Sequence, residues 1–365
     1  MTTALIDIGK TNAKVAAIAP DGTLLAERRR PNTIRPGPPY PHFDVDALWS
    51  FVLDALGDLA RYDIHAIVPV THGACAALLA ADGTLALPIL DYEHDGPEAT
   101  RASYAPPPVA ETGSPPMPGG LNLGAQLHWL ETQFPTGFAR ARHLLTWPQY
   151  WAFRLSGVMA SEVTSLGCHT DLWAAHDSRP STLARARGWD ALLPPLRRAA
   201  DTLGPLRADI AADLAPDTRI LTGIHDSNAS LLPYLDGDPC AVVSTGTWIV
   251  AMSLGPPPPE PAPDTLLNIA ADGRLVPTAP FMGGRARDEA IAAGTPPDDV
   301  DAALARRTAA RLADVAAIGP VFVEGPLAAS RTFINHLARS TSRPVHARQG
   351  AGTAAAAALA TVRKR

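Results

Sequence analysis

The chain has 365 residues, 46% of them hydrophobic, which is enough for two domains that each hold a core. Its net charge of -5 comes with no basic block, which argues against a nucleic-acid partner while leaving room for a nucleotide met by local N–H groups and a divalent cation. Cys75, Cys168 and Cys240 are too few and too scattered for a disulfide scaffold or a zinc site.

In chain order, the pattern predicts strands over Ala4–Ile8, Ala13–Ala19 and Thr23–Arg29, with Asp21-Gly22 as the second turn. The chain thus opens on a strand rather than a leader, and no stretch is apolar enough to span a bilayer. A cytoplasmic protein with no membrane partner is the expectation. A helix follows over Val45–Leu59, with Asp44 as its cap and Leu48, Phe51, Val52, Ala55 and Leu59 along one side. Ile64–Val70 reads as a buried strand, and Asp82-Gly83 as a hairpin turn before Leu87–Leu90. Three strands, a helix and a strand are not the start of a dinucleotide-binding fold, which opens strand, loop, helix. The order suits a ribonuclease-H-like, actin-like unit instead.

Pro106–Gly120 reads as a loop, followed by helices over Gly124–Glu131 and Trp147–Leu155, the latter ended by Gly157. A strand over Arg219–Gly223 leads into His225-Asp226, with a helix over Ala229–Leu235. The second unit starts near Asp236, and the prolines from Pro256 to Pro263 form an extended surface segment, either a connector or a proline-rich ligand for another protein. Helices over Val300–Ala317 and Arg331–Arg339 flank a strand at Val321–Glu324. A short strand at Pro344–His346 and a small-residue helix opened by Gly350-Ala351-Gly352 complete the chain.

Two segments look alike. Ala4–Ile18 and Ala241–Ser253 are each an apolar strand, a polar turn with glycine and threonine, and a second strand. Such a turn presents N–H groups and hydroxyls in a concavity that suits phosphate. Asp7 ends the first strand, where a carboxylate either holds a hydrated magnesium ion or bonds locally within a plain hairpin. Gly9 lets a backbone approach phosphate, Thr11 and Asn12 add polar contacts, and Lys10 and Lys14 either neutralise phosphate or solvate a surface. Thr245-Gly246-Thr247 is the matching turn.

Asp226 either caps a helix or takes the proton of a sugar hydroxyl as phosphate transfers. His72, before Gly73, either donates a hydrogen bond to a polyol or sits beside the site as an ordinary strand-end histidine. His72, His169 and His225 lack zinc spacing, and Ser114, Ser165 and Ser244 lie in no nucleophile elbow.

With these residues together, the chain resembles the FGGY family of carbohydrate kinases from first strand to last helix. Asp7 through Lys14 is similar to the first phosphate loop and Ser244-Thr245-Gly246-Thr247 to the second. Thr71-His72-Gly73-Ala74 resembles the sugar-contact segment of xylulose kinases, and Leu123–Trp173, with Glu162-Val163-Thr164-Ser165, resembles rhamnulose kinases. Gly223-Ile224-His225-Asp226 matches the segment of the catalytic base. Glu324 through Ser330 is similar to the segment near adenosine, with fewer glycines, and Gly350–Ala358 to the closing helix.

The resemblance implies an α/β protein of two ribonuclease-H-like domains, the actin-like ATPase fold, flanking a central cleft. Residues 1–235 would bind sugar, and a shortened second domain, 236–365, would bind nucleotide. It implies magnesium-dependent transfer of the ATP γ-phosphate to a ketose such as L-rhamnulose, L-fuculose or xylulose. Another polyol, or a catalytically weak binding protein of the same fold, is the alternative. The implied site holds ATP with Gly9, Thr11, Asn12, Lys14, Thr245, Gly246, Thr247, Gly325 and Ala328, and Mg2+ with Asp7. Sugar would meet His72, Gly73 and Asp226, the last as base. Members of the family often pair as homodimers.

Overall fold

The computed structural model describes residues 1–210, 213–257 and 262–361. The chain divides into two compact units, Met1–Asp226 with the segment that begins at Ala356, and Ser227–Ala355.

The first unit is built on a seven-stranded sheet. Its strands are β1 (Thr2–Ile8), β2 (Asn12–Ile18), β3 (Leu24–Pro31), β4 (Ile64–Thr71), β5 (Thr202–Pro205), β6 (Arg219–Leu221) and β7 (Ile224–His225). The order is β5-β6-β4-β1-β2-β3, with β7 also on β4. β1, β2 and β3 form an antiparallel meander, whereas β4 runs parallel to β1 and both β6 and β7 run parallel to β4. A parallel step needs a crossover connection, and α1 (Val45–Leu59) supplies the one between β3 and β4.

That helix forms where the sequence places a cap and a period near 3.6. Asp44 accepts a hydrogen bond from the Ala47 N–H at 3.1 Å, and Leu48, Val52, Leu56 and Leu59 are buried on one face. Each of these side chains contributes about 1.5–3 kcal/mol by burial. They share a core with Ile6, Ile8 and Val15 of the sheet and Trp147 and Trp151 of α3. Here α2 is Leu123–Gln133 and α3 is Trp147–Ser156, which ends where Gly157 takes φ +75° and donates to Phe153 O.

The second unit repeats the plan in a six-stranded sheet of β8 (Ala241–Thr245), β9 (Ile249–Ser253), β10 (Leu266–Ile269), β11 (Leu275–Phe281), β12 (Val321–Glu324) and β13 (Val345–Ala347). Its order is β10-β11-β9-β8-β12-β13. Again a meander gives way to parallel strands, β8 beside β12 and β12 beside β13. The helices are α4 (Gly283–Ala292), α5 (Pro297–Asp314), α6 (Arg331–Thr341) and the start of α7 (Ala351–Ala358), whose residues from Ala356 onward belong to the first unit. α5 and α6 bury Leu304, Phe333 and Leu337 on Val243, Val321 and Val323, one face of the sheet. Val242, Val250 and Met252 line the other face with Leu231 and Cys240.

Several expectations need correction. Leu87–Leu90 is no strand; a single bridge joins Leu90 to His42, and the partner of the strand Ala76–Leu79 is His143–Thr146. The helix expected over Ala229–Leu235 is two separate turns, Asp226–Ala229 and Leu232–Tyr234, broken before Pro233. The hairpin of β10 and β11 and the helix α4 were not anticipated. The proline segment Pro256–Pro263 lies partly outside the described residues.

Candidate active site

In the first unit, register gathers the expected residues. Ile8 of β1 pairs with Thr71 of β4, and Thr71 with His225 of β7, all in parallel. The next residue of each strand is therefore Gly9, His72 and Asp226, side by side at the carboxyl ends of three neighbouring strands. Ligands of open α/β sheets bind at this edge.

The β1–β2 turn is held from outside. Gly9 N–H donates to Asn12 O at 2.9 Å, so that amide is engaged within the turn. Asn32, after β3, clamps it twice, donating from Nδ2 to Gly9 O at 2.8 Å and from its backbone N–H to Thr11 O at 2.8 Å. Thr11 and Asn12 are exposed at the tip. Asp7 Oδ2 and Lys14 Nζ, opposite each other in the hairpin, pair at 3.0 Å with Asp7 about one-third exposed. Asn32 was missed because its contacts join residues more than 20 apart, which no local pattern records.

Lys10 is not an exposed phosphate-neutralising lysine. It is buried over the rings of Phe43 and Tyr92, its Nζ bonded to Asp91 and 3.7 Å from Glu93 Oε2. His72 packs on the same two rings at 5.5 and 5.4 Å. Its Nδ1 donates to Gly73 O at 2.7 Å, which leaves Nε2 as an acceptor with no protein partner, and burial lowers its pKa to about 4. The imidazole is thus neutral and would accept a hydrogen bond from a hydroxyl rather than donate one, a correction forced by the tautomer.

Asp226, with its side chain 40% exposed, opens a one-turn helix directly after β7. Gly223 makes this placement possible. Its φ is +84°, and a Cβ there would lie 2.5 Å from Pro69 O, so only glycine lets the chain leave β6 and rejoin β4 as β7. Gln149 of α3 braces the bend, its Nε2 donating to Thr222 O and Gly223 O at 3.1 and 3.3 Å.

Beneath β7 lies Glu162, fully buried. Its Oε2 accepts from Thr164 N, Thr164 Oγ1 and Ser165 N at 3.0, 2.5 and 3.2 Å, and Oε1 has no partner. Thr164 Oγ1 in turn accepts the His225 N–H at 3.1 Å. Burial outweighs those donors and raises the Glu162 pKa from 4.5 to about 7.

That shift has a sign. Below the unfolded value both states hold the proton. As pH rises from about 4.5 to 7 the unfolded state alone loses it, so stability falls, by about 3 kcal/mol once both states are ionised. His72 and His225, whose values are lowered, oppose this below about pH 6.5. The difference between wild type and Glu162→Gln isolates the term. Denaturation midpoints from pH 5 to 8 are expected to show wild type losing ground steadily to the variant, and parallel curves would contradict it.

In the second unit the β8–β9 turn is knit to two neighbouring segments. The Thr245 hydroxyl bonds Glu324 O at 2.5 Å and accepts from Leu327 N at 3.2 Å. It is therefore a staple for the segment after β12 rather than a hydroxyl held out to ligand. Gly246 is exposed and donates to Trp248 O at 2.9 Å, while Thr247 O receives the N–H groups of Gly284 and Arg285 at the start of α4. Gly325 has φ +84°, with room for no Cβ: one would fall 2.0 Å from Thr245 O. Ala328 packs into the core, and its N–H bonds Gly325 O at 3.1 Å, so it shapes this bend. Glu324 Oε2 accepts the Gly352 N–H at the first turn of α7.

Among the described residues no helix is long and apolar enough to cross a membrane, and no group of three His, Cys, Asp or Glu could hold a metal ion. Two ribonuclease-H-like sheets, each with a glycine-bearing turn after its first strand, define the class: an α/β protein of two actin-like ATPase domains. Residues 237–307 match the family described as carbohydrate kinase FGGY, C-terminal domain. The structure of a carbohydrate kinase from Novosphingobium aromaticivorans is 35% identical over 98% of this chain and 90% of its own, with a TM-score of 0.85. The chain belongs to the FGGY family of carbohydrate kinases, and it is an ATP-dependent enzyme that phosphorylates an alcohol group. Xylulose kinase from Lactobacillus acidophilus (17% identity, TM-score 0.82) and Plasmodium falciparum glycerol kinase with ADP (10%, 0.78) share the fold. Each covers 98% of this chain and 89% of its own. A comparison with curated proteins returned no match.

Proposed function

We propose that the chain transfers the γ-phosphate of ATP to a hydroxyl of a ketose such as L-rhamnulose, L-fuculose or xylulose, in the cytoplasm. The observation that carries this is the alignment of Gly9, His72 and Asp226 at one sheet edge, with a phosphate-type turn, a neutral hydroxyl acceptor and a carboxylate in adjacent positions. The ketose class rests on the likeness of Thr71–Ala74 and Glu162–Ser165 to xylulose and rhamnulose kinase segments. His72 Nε2, a buried acceptor without a partner, suits a sugar hydroxyl.

Nucleotide contacts would come from Gly9, Thr11, Asn12 and Lys14 of the β1–β2 turn and from Gly246 and Thr247 of the β8–β9 turn, with Thr245, Gly325 and Ala328 holding the shape of the latter. Asp226 would fix the attacking hydroxyl and take its proton; an ordinary carboxylate is adequate because proton loss lags behind phosphoryl transfer. Asp7 fits magnesium held through water and phosphate, since that ion takes one or two carboxylates and keeps several waters. Bound there, it would neutralise charge building on the phosphate oxygens.

The test is one coupled ADP-release screen over ketoses, aldoses, aldonates and glycerol, with the phosphorylated carbon then identified. A ketose is expected to give the highest kcat/KM. Turnover confined to glycerol or an aldonate would overturn the substrate class, and ATP hydrolysis indifferent to sugar would overturn the kinase geometry.

A further inference from the structure

We infer that His225 is a positioning residue that sets the orientation of the Asp226 carboxylate, and that the segment Glu162–Cys168 exists locally to hold His225 still. The inference rests on Asp226 being the base. Four observations converge on this one imidazole. Its Nε2 lies 3.3 Å from Asp226 Oδ1, and a carboxylate oxygen can only accept, so the proton belongs on Nε2, within reach of Asp226. Its backbone N–H is fixed by Thr164 Oγ1, whose own proton goes to buried Glu162. Cys168 Sγ, from the same segment, touches Nε2 at 3.5 Å. Gly73 makes the space: a Cβ there would sit 3.2 Å from Nε2 and 3.3 Å from Cys168 Sγ.

His225 is 5% exposed, and burial keeps its ring neutral, with the imidazoles of His72 and His169 acting in the same direction. A neutral Nε2–H donor differs from a cation in what it does. It orients one oxygen of Asp226 and leaves the carboxylate charge available for the proton of the attacking hydroxyl. Asp226 stands at the start of a single helical turn with 40% of its side chain exposed, where a fixed donor selects one orientation of the carboxylate.

The experiment compares two amides. Glutamine reaches with its Nε2 about as far as the imidazole Nε2, whereas asparagine places its NH2 near Nδ1. His225→Gln is expected to keep kcat within a few-fold. His225→Asn is expected to lower kcat roughly 10- to 100-fold, the effect of losing one charge-assisted hydrogen bond, with the sugar KM little changed. The acidic limb of its kcat–pH profile should move to higher pH.

Equal activity in the two amide variants would overturn the inference, as would a loss that appears only in KM. If Asp226→Asn is fully active the base assignment itself fails; if it is inactive while both amides match wild type, only the positioning role fails. Should either amide variant fail to fold, nitrogen-15 spectra of the wild-type imidazole decide the matter: Nε2–H supports the role and Nδ1–H overturns it.

Discussion

Asp226→Asn is expected to lower kcat for sugar phosphorylation by roughly 10²- to 10⁴-fold while leaving the thermal midpoint within a degree or two of wild type. The substitution is nearly isosteric. Asp226 is the first residue of the turn Asp226–Ala229, a position where asparagine is also well accepted, so the turn keeps its start. What disappears is the negative charge that takes the hydroxyl proton, at a place where β7 delivers it beside His72. KM for sugar should change little, because the amide still accepts one hydrogen bond, so the effect falls on kcat. Steady-state kinetics with circular dichroism separate the outcomes. Near-normal turnover in a folded variant would remove Asp226 from the role of base, and an equal loss of fold and activity would reduce it to a cap.

Gly325→Ala is expected to destabilise the second unit by about 3 kcal/mol or more and to abolish measurable nucleotide binding. Two effects add. A positive φ of +84° is strained for any residue with a Cβ, and that Cβ would lie 2.0 Å from the Thr245 backbone oxygen, which cannot move without shifting β8. Displacement would break the bonds of the Thr245 hydroxyl to Glu324 O and Leu327 N. The two segments expected to serve nucleotide would then lose their common staple. Gly294→Ala is the comparison: its φ of +94° is as strained, but nothing lies within 4 Å, so only about 1–2 kcal/mol is expected and nucleotide binding should persist. Urea midpoints and calorimetry with ADP measure both. If the two variants behaved alike, backbone strain alone would account for the effect and the contact with Thr245 would be unimportant.

Elements with strong local signals were legible. The strands β1 and β2 and the helix α1 follow from apolar period, turn residues and Asp44, and the structure puts them within a few residues of expectation. Where a strand is short and its partner is distant, local pattern fails. Leu87–Leu90 carries apolar residues, but the pairing with Ala76–Leu79 stops after Leu85 bridges Leu79 and the Ala86 N–H bonds Leu78 O, and Pro88 has no N–H to extend it. The β10–β11 hairpin carries a turn signal at Asp272-Gly273, but the alanines and prolines around it blur the alternation of its strands.

The candidate site divides in the same way. Asp7, Gly9, Asp226 and the Thr245–Thr247 turn were recognisable because each sits where an apolar strand ends, and strand ends are written in local order. The chemical state of each group was not. That Lys10 is tied to Asp91 and that the Thr245 hydroxyl is a staple depend on partners tens of residues away, and that His72 presents an acceptor depends on the folded backbone that brings the Gly73 carbonyl to its Nδ1. Glu162 shows the limit most sharply, since a glutamate in a polar segment carries no mark of burial; its raised pKa arises only once the folded chain buries it. Sequence by itself determined the strand–turn–strand openings at Ala4–Ile18 and Ala241–Ser253 and the identity of the chemical groups, because periodicity and turn propensity act over a few residues. Tertiary structure alone decided protonation, tautomer and which side chains remain available, because desolvation, the rotamers that bring each imidazole to its partner and long-range hydrogen bonds exist only after the chain has closed on itself.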